Sequence, residues 1–438
     1  MINVLLIFLV CSVIFYFYHK TYVGIYVYII SVFLAPYCSI GSLNFRIELL
    51  LTPILFVIFL LRKRRVYITK IILLWLLIVI YLFLVTFISN DYDLDSEVSY
   101  TTGFNFIRYG FLMIIASNLK TERISNIKML RLLLLVSVPI SLIGIGQSIQ
   151  NSYIISLTEK FYSSVNRPVF QGLMEEISKH SDYIFRSIGV FENVSYYAAF
   201  LLITTFVSLE FILRFYKYNI SLKERKILIG IFLLNVTSGI LCSSLTYYGG
   251  VFFIFLYFLV FDFKVMFKYV ILLVIAIIFL LLYLKIKYSD TFSVYADNFN
   301  YLIDAFFNGR KLGQRYDFNE RSTGDLTKII YDNFLLGSGF RSYKNLGVND
   351  SLYLEFFYSA GLIGSILLTI FGIWISKIIF TVHYNNRYFF SMILILFLLS
   401  GLGCNSVSII RFSEWFWMFI GLLMIDLKET KVSLFNPN

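Results

Sequence analysis

The 438-residue chain is 59% hydrophobic and only 14% charged, with a formal net charge of +11 at pH 7. That balance excludes a soluble globular protein, whose surface needs far more charge, and leaves a polytopic membrane protein. No basic helix or aromatic-basic RNA motif accompanies the positive charge, so it reads as topology signal and lipid attraction, with no nucleic-acid partner.

The N-terminal run Ile2 to Tyr18 lacks a basic leader and a small-residue cleavage site, and reads as a retained first helix. A spanning helix needs roughly 20 apolar residues. About thirteen stretches qualify: 2–18, 22–40, 46–61, 71–89, 104–119, 132–149, 194–213, 227–243, 246–262, 268–286, 352–376, 388–404 and 408–426. The expected fold is therefore all-α: one membrane domain, 1–438, of about 12–14 transmembrane helices.

Lysine and arginine in short loops mark the cytoplasmic side. Arg62-Lys63-Arg64-Arg65 with Lys70 anchors the assignment, and alternation then places Lys120, Arg123, Arg214, Arg225, Lys377, Arg387 and Lys431 inside. The acidic loop Asp91, Asp93, Asp95, Glu97 falls outside, as do two long polar segments, about 150–193 and about 287–351. In the second, Phe299, Leu302, Ile303 and Phe306, and again Leu326, Ile329, Ile330 and Phe334, sit at helical spacing. Both runs are expected as short amphipathic helices on the membrane boundary.

There is no phosphate loop, no hydrolase elbow and no histidine pair: His19, His180 and His383 are scattered, so neither metal nor cofactor is expected. Cys11, Cys38, Cys242 and Cys404 fall in apolar stretches and read as small buried hydrophobes. Arginines remain as candidates. Arg186, Arg310, Arg315, Arg321 and Arg341 all lie in the outer segments, and a guanidinium fork matches phosphate oxygens in pairs. For any one of them, solvation or headgroup pairing at the boundary is the ordinary alternative. Within the helices, Arg108 is expected to snorkel to the outer end, Arg411 and Glu414 to pair locally, and Glu210 to be a boundary residue.

The order Arg186-x-x-Gly189-x-Phe191-x-Asn193, then Arg321, Gly337-x-Gly339-Phe340 and Asp350-Ser351-x-Tyr353-Leu354 with Gly361, resembles the O-antigen polymerase and O-antigen ligase superfamily. The resemblance covers roughly residues 180–365 in motif. It implies a glycosyltransferase of the bacterial inner membrane, acting on its periplasmic face on sugars carried by undecaprenyl diphosphate. Histidine is typical of the ligase branch at the position of Asp350, so the polymerase branch is favoured. Arg186 and Arg321 match the family's two important outer-face arginines. A lipid diphosphate leaves readily once its charge is compensated, and paired arginines supply that. The acceptor hydroxyl also needs a base. Asp350 is the first candidate, with Glu192 and Glu355 behind it; Asp350 reads equally as a helix N-cap. Arg315, Arg341, Tyr353 and Asn193 are the further substrate-binding candidates. Expected partners are the undecaprenyl-diphosphate-linked oligosaccharide, membrane lipid, and the pathway's flippase and chain-length regulator. Ligase and lipid-linked oligosaccharide flippase are the rival functions.

Overall fold

A computed structural model of the chain describes residues 2–36, 38–40, 43–63, 65–89, 96–119, 124–149, 151–162, 187–261, 330–343, 351–404, 411–425, 427 and 431–433. The described chain is mostly helical, with helices α1 (Ile2–His19), α2 (Thr21–Leu34), α3 (Ile47–Arg62), α4 (Lys70–Ile88), α5 (Tyr100–Ser117), α6 (Asn126–Ser148), α7 (Ser152–Tyr162), α8 (Val194–Leu213), α9 (Leu222–Leu241), α10 (Leu245–Phe261), α11 (Leu352–Thr381), α12 (Arg387–Ser400) and α13 (Phe412–Leu423). Every expected apolar stretch falls on one of them except 268–286, which lies outside the described residues. Four of these helices, α4, α6, α8 and α11, are long and apolar enough to cross a membrane.

In a bilayer a long apolar run leaves its backbone polar groups no partner but each other, and a helix satisfies them all within the run. On α4 the buried residues Ile72, Trp75, Val79, Leu82 and Thr86 share one face, and the Trp75 indole donates to Phe106 O at 3.0 Å. The opposite face, Leu73, Leu77, Ile80, Leu84 and Phe87, is equally apolar yet exposed. A soluble helix would carry charge there.

The second span was expected to reach residue 40, but α2 stops at Leu34 with Ala35 extended. Pro36 follows, and the residue before a proline disfavours helical backbone. Cys38–Ile40 (β1) then pairs antiparallel with Leu43–Phe45 (β2). Two more short ladders were not expected: β3 (Tyr67–Thr69) with β6 (Lys431–Ser433), and β4 (Ser96–Val98) with β5 (Arg341–Tyr343). The last span begins at Phe412, after Arg411 at φ 74°. Cys11 is exposed, whereas Cys242 and Cys404 are buried. The amphipathic run 299–306 lies outside the described residues. Of the run ending at Leu336, residues 330–332 are helical and 333–336 form a turn.

The chain divides into two compact units: residues 1–132, 317–391 and 404–438 form the first, and 133–316 with 392–403 the second. In the first unit α4 and α11 run antiparallel, with Gly364 against Tyr81 and Phe371 beside Trp75. Lys63 Nζ donates to Asn118 O at 3.1 Å, and Thr69 lies opposite Lys431, so the basic loop after α3, the end of α5 and the C-terminal strand share one end. The end of α4, the start of α5 and the start of α11 share the other.

In the second unit α8 packs on α9 and α10. Tyr197 reaches Ser238 with its hydroxyl, Ser141 Oγ donates to Asn235 Oδ1 at 2.8 Å, and Tyr247 meets Thr205 at 3.2 Å. Glu210, expected as a boundary residue, is fully buried. Its Oε1 accepts from Arg214 at 2.8 Å and from Tyr218 at 3.0 Å. Burial, then the adjacent carboxylate, push the Tyr218 phenol well above its usual range.

Candidate functional site

In the first unit the segment 334–341 is locked onto α11 where that helix breaks. Gly361 has φ 58° and ψ −164°, which ends one half-helix and begins another. A broken helix exposes orphan carbonyls and amides, and here the crossing segment satisfies them in both directions. Ser338 N donates to Tyr358 O at 2.9 Å and Gly339 N to Ser359 O at 2.8 Å, while Leu362 N and Ile363 N donate to Phe334 O at 2.9 Å and Leu335 O at 3.1 Å. The Tyr81 hydroxyl completes the crossing, donating to Leu336 O at 2.8 Å with Ala360 O at 3.1 Å. Gly337 (φ 82°) lies so close to Gly361 that a Cβ on either would sit 2.5 Å from the other's amide nitrogen.

The segment then fastens to the end of α4. Phe340 N donates to Thr86 Oγ1 at 2.9 Å, and Arg341 Nε donates to Thr86 O at 2.9 Å. Ser99 N, just before α5, donates to Phe340 O at 2.7 Å, and the β4–β5 ladder continues from there. Tyr358 Oη donates to Arg341 O at 2.9 Å. Arg341 is thereby held at both its backbone and its Nε, over the end of the unit where α11 begins.

In the second unit the segment 187–193 is gripped from α6. The buried Gln147 amide uses both its ends: Oε1 accepts from Ile188 N at 3.0 Å and Gly189 N at 2.9 Å, and Nε2 donates to Gly189 O at 2.8 Å and Thr158 Oγ1 at 3.3 Å. Gly189 takes φ 58°, with the Tyr197 ring pressed against the place of a Cβ. Phe191 packs on Tyr197 and Phe200. Asn193 Oδ1 accepts from Ser195 N at 2.8 Å and caps α8.

Of the residues expected in the site, Arg186, Arg315, Arg321 and Asp350 lie outside the described residues, as does Arg310. Arg341 and Tyr353 belong to the first unit, where Tyr353 is exposed on the first turn of α11. Asn193 belongs to the second. The N-cap position of α11 is Ser351, one residue after Asp350, and the Ser351 side chain makes no capping bond. Among the described residues, no group of three or more His, Cys, Asp or Glu side chains is placed to hold a metal ion.

A buried polar node in the first unit was not expected from the sequence. Arg108 does not snorkel: its side chain is 1% exposed and its Nη2 is paired with Glu414 Oε1. Glu414 therefore does not pair with Arg411. Arg411 instead donates from Nη1 to Phe33 O at 2.9 Å and Ala35 O at 2.8 Å, capping the C-terminal end of α2. The two ends of the Arg108–Glu414 pair are 306 residues apart in sequence, so no local spacing announces it. The only signal was the presence of charge inside apolar runs.

Searches against protein-family models, curated proteins and solved structures find no match to this chain.

Proposed function

We propose that this protein is a polytopic membrane glycosyltransferase that polymerises surface-polysaccharide repeat units on the outer face of the bacterial inner membrane. The growing chain would pass from undecaprenyl diphosphate to a sugar hydroxyl on a second carrier-linked unit. In that step the donor's anomeric C–O bond to phosphate breaks and a glycosidic C–O bond forms. The diphosphate leaves with the bonding pair, and the acceptor's proton goes to a base. Arg186 and Arg321 would neutralise the diphosphates, and Asp350 would take or orient the acceptor proton. Arg315, Arg341, Tyr353 and Asn193 would contact substrate.

The observation that carries this reading is the glycine crossing. Of the residues that the family resemblance groups together, Gly337 meets Gly361 backbone to backbone, and Gly339 next to it bonds to Ser359 on the same helix while Phe340 is held on Thr86. The crossing fastens Arg341 beside the start of the helix that carries Tyr353. The apolar exposed stripe of α4 supports the membrane part of the proposal.

The test is elongation of purified undecaprenyl-diphosphate-linked repeat units by the purified protein with no energy source. Longer lipid-linked chains are expected. Flipping of the same units without elongation would replace the transferase by a transporter, and transfer only to lipid A core would make the protein a ligase.

A further inference from the structure

The Arg108–Glu414 node contains more polar capacity than the protein itself uses. Arg108 lies on α5 and Glu414 on the first turn of α13, while Glu48 on α3 and Tyr28 on α2 are within electrostatic range of the guanidinium. Tyr28 and Thr52 share a hydrogen bond at 2.7 Å, and Ser413 Oγ donates to Glu414 Oε2 at 3.2 Å. With Nη2 committed to Glu414, Arg108 Nε and Nη1 are buried without a hydrogen-bond partner. Glu48 Oε1 is buried in the same condition, 3.6 Å from Arg46 Nε and too far for a hydrogen bond. Two cationic donors and one anionic acceptor are thus incomplete in one node.

Leaving such a group buried and unsatisfied is destabilising, and more so when it is charged. A bound group that both accepts and donates removes that cost for both sides at once. A hydroxyl has that capacity: its lone pairs accept from the guanidinium and its O–H donates to the carboxylate. A second anion would meet Glu48 and Glu414, and a cation would meet Arg108, so a neutral ligand suits the node best. The Arg46 side chain is 14% exposed while Glu48 is 3% exposed, so Arg46 is the nearer of the two to the surface.

We infer that the interior of the first unit holds a binding site for a hydroxyl ligand, seated between Arg108 and Glu48 and entered past Arg46. Water and a carbohydrate hydroxyl share the required chemistry. The site stands apart from the proposed transferase activity, since none of its residues belongs to the motifs that support that reading.

Hydroxyl-radical footprinting of the full-length protein in nanodiscs, read by mass spectrometry, tests the site. Radicals generated from bound water oxidise side chains beside it even where bulk solvent has no access. Tyr28 and Tyr109 are expected to oxidise several-fold faster, after correction for intrinsic reactivity, than Trp75, which is equally buried among Phe106, Phe371 and Trp417. Glu48→Leu should bring both tyrosines down to the Trp75 rate while the exposed Tyr153 is unchanged. If that variant fails to fold, the wild-type comparison decides alone. Oxidation of Tyr28 and Tyr109 no faster than Trp75 would overturn the site. Protection of both tyrosines by added lipid-linked oligosaccharide would assign the hydroxyl to carbohydrate, and unchanged labelling would assign it to water.

Discussion

Gly337 and Gly361 cross backbone to backbone, each in a left-handed conformation and each occupying the space where the other's Cβ would stand. The segment 334–339 thereby serves as the cap for both half-helices of α11, and its Phe334 and Leu335 carbonyls and Ser338 and Gly339 amides are satisfied by the same bonds.

Gly361→Ala is expected to destabilise the protein by about 1–3 kcal/mol, because its φ and ψ lie where only glycine is unstrained. Thermal unfolding in detergent measures this. Gly372→Ala on the same helix is the control: nothing lies within 4 Å of a Cβ there, so unfolding should be unchanged or slightly later.

Arg108→Met and Glu414→Leu should each lower stability by about 3–5 kcal/mol, since each leaves a lone buried charge. The double variant should recover most of the loss. Denaturant titration of all three supplies the coupling energy, and additive losses would mean that the two side chains do not act as a pair.

Gln147→Met keeps the volume of the side chain but removes every bond to Ile188, Gly189 and Thr158. If Arg186 holds the diphosphate, loosening residues 187–189 should cut elongation several-fold while the protein remains folded. In an Arg186→Lys background, which keeps part of the activity, the same change should cost much less than it does in the wild type. Multiplicative losses would show that Gln147 acts independently of Arg186.

Arg186→Ala and Arg321→Ala should each abolish elongation with normal amounts of protein in the membrane, and lysine should restore only part of it. Lysine keeps the charge but loses the planar fork. Wild-type polysaccharide ladders from both alanine variants would remove the diphosphate role.

Asn193→Ala should cost about 0.5–2 kcal/mol through loss of the α8 cap. Asn193→Asp retains the acceptor for Ser195 N and should unfold like wild type. Its added charge should nevertheless repel a diphosphate and slow elongation. Unimpaired elongation by Asn193→Asp would confine the residue to capping.

The helices were legible because their signal is local: a run of apolar residues long enough to cross a bilayer folds into a helix whatever its neighbours do. Pro36 was passed over: the expected 22–40 span ran through it, whereas α2 stops at Leu34. Pairings across the chain were not. The β4–β5 ladder joins residues 96–98 to 341–343, and Glu414 lay three positions from an arginine it does not use. The glycines 189, 337 and 361 stood out in the sequence as motif positions. That two of them meet, and that Gln147 holds the third, was decided by tertiary packing. Amino-acid sequence by itself determined which segments are apolar helices. Only the folded chain decided which carboxylate Arg108 meets, because a buried charge takes whichever partner the packed helices bring to it, and that choice depends on contacts hundreds of residues apart.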